Sequence, residues 1–300
     1  MKRSVHRLRT WLIRLTVLLF ALVLTGCYVV DHVLPQVIVA PKKRDVALPT
    51  PEGLHVLNFH LKSGVTLRAW SAQPERPKLI VLVLHGIGDS KNSQVGTLRY
   101  LASQGYMAVG IDLRAHGDSS GYYATYGFAE KQDLSHVRSI LQAQHPGLPI
   151  GIWGTSYGGA VALQSIGADQ QFAFGIIEST FANLGDVVDQ YGKNVVGFDL
   201  PPAIPDRALQ RAGEMAHFDP KQVSPETSAR SIRVPILHMH GARDENIPIS
   251  HAYRIGKNCT QCDYHFEVFE NGGHFTLPQS DPEKHRRLVD DFLKKIAELK

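Results

Sequence analysis

"GIWGTSYGGAVAL", residues 151–163, is the stretch on which the reading of this chain turns. An apolar run from Pro149 to Trp153 has the length and composition of a buried strand. It ends in Gly154-Thr155-Ser156-Tyr157-Gly158, and small, helix-compatible residues follow. Glycines flanking a serine at a strand-to-helix junction permit a strained turn with no side chain in the way. Such a turn lifts the hydroxyl above the sheet and faces it with the positive end of the next helix. Ser156 is therefore a candidate nucleophile. The rest of the chain must supply a base, an acid and donors for an oxyanion.

Outward from this stretch, further apolar runs have the character of buried strands: 79–85, 107–112, 174–179 and 235–240, with 264–270 more mixed. Helical stretches are expected between most of them, at 94–104, 130–144, 157–167, 248–257 and 282–298. Before them, "HVLNFHLKSGVTLRAWSA" alternates apolar and polar residues about Ser63-Gly64, which predicts an antiparallel hairpin. Continuous apolar strands alternating with helices predict an α/β domain with a mostly parallel sheet covered on both faces. Residues 181–230, rich in proline, are too long for a simple crossover and are expected to form a small cap after the sixth strand. Ligands in such sheets sit at the carboxyl ends of strands, where this insertion begins.

A serine hydroxyl needs a base within hydrogen-bond reach. Of fifteen histidines, His274 stands apart, in the glycine-rich loop "ENGGHFT" after the last strand. The imidazole in turn needs an acid. Asp244, in "HMHGARDENIP", is the candidate, with Glu245 adjacent and chemically equivalent. Acyl transfer also needs donors for the developing oxyanion. The backbone N–H of Tyr157 is one. The loop "LHGIGDS" offers a second from Ile87, because Gly86 and Gly88 allow close approach. His85 is expected to brace that loop.

Together these motifs resemble the serine-nucleophile alpha/beta-hydrolase family over about residues 54–298. "LHGIGDS" is similar to the family's oxyanion loop, and "GTSYGG" to its nucleophile turn. "HGARDENIP" resembles the acid loop and favours Asp244 over Glu245. "GGH" resembles the histidine loop. "GIDLRAHGDS" resembles the stretch after the next strand, with Ala115 where the family has glycine; Asp112 and His116 within it read as structural. "IIESTF" and the short insertion resemble the alpha/beta-hydrolase-domain subgroup related to acylglycerol lipases and depalmitoylating thioesterases. The resemblance implies an alpha/beta-hydrolase fold and a serine hydrolase acting on carboxylic esters, including lipid esters or acyl thioesters. The acyl-enzyme would form on Ser156, and no metal or organic cofactor is required. The alternatives are a prolyl-oligopeptidase-like peptidase, whose usual preceding domain residues 28–53 cannot supply, and a non-catalytic binding protein on the same fold.

The net charge of +4 belongs to the N-terminus. Residues 1–26 carry five basic groups and no acid, and the remainder holds 27 basic and 28 acidic side chains. Nucleic-acid binding is not expected. The basic stretch, the apolar run Leu15–Leu24 and the small residues after it have the layout of a secretory signal peptide. Leu24-Thr25-Gly26-Cys27 resembles the lipobox of bacterial lipoproteins, which implies cleavage before Cys27 and its lipidation. The expected organisation is a signal at 1–26, a tether at 27–53 and the hydrolase domain at 54–300. The protein would face the periplasm or exterior from a membrane of the cell envelope, with the outer membrane expected. The alternative is an uncleaved N-terminal membrane helix. Cys259 and Cys262, in "CTQC", are expected to form a local disulfide or to remain two thiols.

Overall fold

The computed structural model describes residues 2–299. Helix α1 (Lys2–Tyr28) runs through a π-helical turn (Val29–Val33) into α2 (Leu34–Val39). The hairpin β1 (His55–His60) and β2 (Thr66–Ala72) follows. The domain continues with β3 (Ile80–Leu84), α3 (Val95–Ser103), β4 (Met107–Ile111), α4 (Glu130–Gln144), β5 (Ile150–Thr155), α5 (Tyr157–Ala168) and β6 (Gly175–Glu178). The insertion contributes α6 (Leu184–Val196), α7 (Ala203–Ala216) and α8 (Pro225–Ala229). β7 (Ile236–Gly241), α9 (Ser250–Asn258), β8 (Tyr264–Phe269), α10 (Leu277–Ser280) and α11 (Pro282–Glu298) complete the chain.

The eight strands are ordered β1-β2-β4-β3-β5-β6-β7-β8. β1 and β2 pair antiparallel, as does β2 with β4, and every later pair is parallel. β3, β4 and β6 are buried along their whole length, as is β5 up to Thr155, which is why they read as unbroken apolar runs. Alternate residues face opposite layers. Ile80, Leu82 and Leu84 pack with α4 and α5 through Val137, Leu141 and Val161. Val81 and Val83 pack with α3 and α11 through Leu98, Val289 and Leu293. The strand order reverses at β3, with β4 on one side and β5 on the other. The carboxyl ends of β3 and β5 therefore open a crevice of the kind where such sheets bind ligands.

The expected tether at 27–53 differs in the structure. Tyr28 still belongs to α1, and the helical path continues to Val39. Pro35 does not break it, because it lies in the first turn of α2, where an N–H has no intrahelical partner. Val39 is fully buried, in one cluster with Phe181, Leu184, Ala212 and Phe218 of the insertion and Ala160 of α5. Residues 40–47 then lie as a strap on the loops after β3 and β4. The Lys43 ammonium donates to the Ser119 carbonyl. The Ala47 N–H donates to Asp118 at 2.7 Å, and the Ser90 hydroxyl to Asp45 at 2.9 Å. Among the described residues one helical stretch, Arg9–Val39, is long and apolar enough to cross a membrane, and its most apolar part is buried by no other part of the chain. Cys27 is an exposed free thiol, and Cys259 and Cys262 are joined in a disulfide after α9.

Candidate active site

Ser156 joins β5 to α5 with φ 55° and ψ −118°, a conformation that non-glycine residues avoid and that costs about 1–3 kcal/mol. The turn is tight enough that its glycines are obligatory. A β-carbon on Gly154 would stand 2.2 Å from the Gly158 carbonyl oxygen, and one on Gly158 would stand 2.5 Å from that of Leu84. The turn is pinned from the neighbouring strand: the Ser156 N–H donates to the Glu178 carbonyl at 2.8 Å, and the Thr180 hydroxyl donates to the Ser156 carbonyl at 2.8 Å.

His274 reaches this serine from the loop after β8. Its Nε2 lies 3.0 Å from Ser156 Oγ, and its Nδ1 lies 2.8 Å from Asp244 Oδ2. The Nδ1–H therefore donates to the carboxylate, which leaves the Nε2 lone pair facing the serine hydroxyl. The other oxygen of Asp244 accepts from the N–H groups of Asn246 at 3.0 Å and Ile247 at 2.8 Å, so the carboxylate is fixed at both oxygens. Glu245 points away into solvent, and Asp244 alone meets the imidazole. Ser156, His274 and Asp244 are all buried.

The loop after β3 passes beside the serine: a β-carbon on Gly86 would lie 3.9 Å from Ser156 Cβ. Among the described residues the N–H groups of Ile87 and Tyr157 have no protein acceptor. The Tyr157 N–H is the first of α5 and has no intrahelical partner. Its side chain points elsewhere, with its hydroxyl 3.1 Å from Glu130. His85 braces the loop as expected. Its Nδ1–H donates to the Gly86 carbonyl at 2.7 Å, and its Nε2 accepts from the Leu113 N–H at 3.1 Å. Burial lowers its pKa, which keeps Nε2 free to accept. His116 is pushed down to about 3 by burial, with the neighbouring His85 adding to the shift. Asp112 accepts from buried Lys91 at 2.6 Å and ties down the loop 112–118. Ala115 holds the turn with φ 64°, in the region where glycine is favoured.

A cavity of about 840 Å³ opens on Ser156 and His274. Its walls come from α3, from Trp153 and from the α10–α11 segment, with Leu277, His285 and Val289 among them. Of the insertion, Tyr191 alone among the described residues lines it. The expected cap thus borders the cavity, while its buried residues Phe181, Leu184 and Ala212 pack in one cluster with Val39 and Ala160 of α5. Two lining residues carried no expectation from sequence. Glu178, at the end of β6, is 2.7 Å from His285 Nε2 through one oxygen and 3.0 Å from the Thr155 hydroxyl through the other. The only signal for this buried pair was an acid ending an apolar strand.

This fold has counterparts. A family model described as "Serine aminopeptidase, S33" matches residues 75–197. An esterase of Pyrococcus furiosus, Pf2001, superposes with a TM-score of 0.72 at 23% identity, covering 86% of this chain and 98% of the esterase. The chain has the alpha/beta-hydrolase fold. Among curated proteins, the chain is 27% identical over 238 residues to the uncharacterized protein YqkD of Bacillus subtilis, covering 77% of this chain and 76% of YqkD. It is 24% identical over 246 residues to the lysophosphatidylserine lipase ABHD12 of Xenopus tropicalis, covering 71% of this hydrolase and 60% of that lipase.

Proposed function

We propose that this hydrolase cleaves carboxylic esters through an acyl-enzyme on Ser156. The observation that carries the reading is the unbroken chain of contacts from Ser156 Oγ to His274 to Asp244 at a strained strand-to-helix turn. Ser156 Oγ attacks the ester carbonyl carbon while His274 Nε2 takes its proton. The carbonyl electrons move onto oxygen, where the N–H groups of Ile87 and Tyr157 receive the charge. Asp244 holds the imidazole in the tautomer this requires and stabilises its cation. Collapse of the tetrahedral adduct breaks the bond to the alkoxy oxygen, which leaves as the alcohol with the proton from His274. Water, losing a proton to His274, then attacks the acyl carbon. Collapse of the second adduct releases the acid and returns the proton to Ser156.

The lipase named among the relatives supports a lipid ester, such as a monoacylated glycerol or glycerophospholipid, as the substrate class. The family model's description favours a second reading, an aminopeptidase. An aminopeptidase needs an acid to hold the substrate ammonium. Of the cavity's acids, Glu178 is engaged by His285 and Thr155, so an ammonium would have to be held by Asp89, which accepts from the Ser90 N–H. Labelling with a fluorophosphonate probe tests the nucleophile: the native protein is labelled and Ser156→Ala is not. Labelling that survived the substitution would remove Ser156 from its role.

We also propose that the N-terminal segment holds the enzyme at a membrane of the cell envelope: either residues 1–26 are removed and Cys27 is the lipidated first residue of the mature chain, or the apolar helix stays uncleaved as the anchor. Mass spectrometry of the mature N-terminus tests this. An unmodified Cys27 inside an intact chain would leave the uncleaved helix as the anchor.

A further inference from the structure

We infer that the loop between α6 and α7, residues 197–202, together with the last turn of α6, is a second membrane contact that sits in the bilayer interface beside the N-terminal helix. The inference rests on the uncleaved-helix form of that anchor and adds a surface to it. The stretch reads "VVGFDLPP" from Val195 to Pro202. Val195 is 83% exposed and Phe198 62%, with Val196 and both prolines also open to solvent. Asp199, paired with Lys193, is the one charge within the stretch, and apolar side chains exposed together on either side of it mark a contact surface.

Register against the N-terminal helix places this loop. Asp31 lies 2.7 Å from Arg207 and 3.8 Å from Arg211 of α7. At their other ends the two helical segments converge on one turn: the Ile38 carbonyl accepts from the Tyr126 hydroxyl, and Phe218, just past α7, lies with its ring 6.0 Å from that of Phe128. α2 and α7 therefore run in the same direction. Ala203, the start of α7, is four residues before Arg207, or about 6 Å at the helical rise. The same step back from Asp31 arrives at Cys27, three residues past the apolar run Leu15–Leu24. The loop before Ala203 is thus level with the end of the apolar segment, so a bilayer that accepts Leu15–Leu24 meets Phe198 at its interface. Arg207 stands about one turn further out and Arg211 about two, at the height of lipid headgroups.

The same geometry links the contact to the cavity. Tyr191, which lines it, is one helical turn before Val195 on α6. An ester lying in the interface at Val195 would thus begin one helical turn from the cavity wall, which makes bilayer lipids the favoured substrates over dispersed ones.

The test uses the full chain reconstituted into phosphatidylcholine–phosphatidylglycerol vesicles containing brominated lipid, in a Trp11→Phe background. Trp70 and Trp153 are buried in the domain and serve as a constant. The Phe198→Trp variant is expected to show blue-shifted emission quenched by the bromolipid. A Tyr122→Trp variant, at a site 88% exposed near the level of Val39, is expected to show neither. Protein that floats with the vesicles yet shows no quenching at position 198 overturns the inference and spares the anchor. Protein that does not float overturns both. In the same vesicles, Val195→Asp combined with Phe198→Asp is expected to lower turnover of a long-chain monoacylglycerol at least about tenfold and leave a short soluble ester unchanged. Equal loss on both substrates overturns the link to bilayer substrates. A native protein that hydrolyses neither ester overturns the esterase reading while the quenching result stands independently.

Discussion

Gly241 and Gly272 meet backbone to backbone: a β-carbon on Gly241 would lie 2.2 Å from the Gly272 carbonyl oxygen. Gly241 ends β7 and leads to Asp244, and Gly272 begins the loop that carries His274. The close approach of the two loops is what lets the carboxylate and the imidazole touch. Gly241→Ala is therefore expected to separate them. A displacement of about 1 Å costs on the order of a hundredfold in rate. Steady-state kinetics on a short ester should show the loss in kcat, and near-native turnover would mean that the loops tolerate the methyl group.

His274→Ala is expected to lower kcat by about 10² to 10⁴, the range for losing a positioned general base, with a smaller effect on KM. Asp244→Asn should also fall steeply, because an amide at Oδ2 would favour the wrong imidazole tautomer. Rates for both, beside fluorophosphonate labelling kinetics, check the assignment. A fast His274→Ala enzyme would require another base.

Acid should destabilise the protein through His116. Burial pushes its pKa down to about 3 in the folded chain, below the ordinary histidine value of 6.5. Between those values the unfolded chain binds a proton that the folded chain does not, so stability falls as pH drops through that window. Buried His85 and His240 are shifted in the same direction and add to the slope. Urea unfolding from pH 7 to 4 measures it. His116→Asn keeps a donor for the Arg114 carbonyl and should flatten the curve; an unchanged slope would discount His116.

Glu178→Ala removes the partner of His285 and of the Thr155 hydroxyl inside the cavity wall. The groups left unpaired should cost about 1–3 kcal/mol. Pairing Glu178→Leu with His285→Leu should recover part of that loss. Chemical denaturation of the single and double variants decides between a pair that stabilises the wall and one that contributes nothing.

Much of the fold was legible because its strands are buried on both faces. Ile80–Leu84 and Met107–Ile111 have no polar side to confuse their reading, and the α4 and α11 boundaries matched at both ends. Ser156, Asp244 and His274 were legible because each stands in a loop whose glycines have a local reason. What sequence did not convey depends on contacts between distant segments. Pro35 and the charged run near Lys43 read as a loose tether, and only tertiary packing of Val39 and hydrogen bonding to Asp118 and Ser90 make them a strap. The Glu178–His285 pair spans 107 residues and had no local signature.

The strap also has a consequence for the order of folding. Lys43 and Ala47 bind residues more than 70 positions later, and Asp31 meets Arg207 across 176. During synthesis the apolar helix emerges long before any of these partners exist. Contacts of such long separation form late. On the proposed anchoring, the chain is already held at the bilayer when its last long-range contacts close, so the domain matures in place.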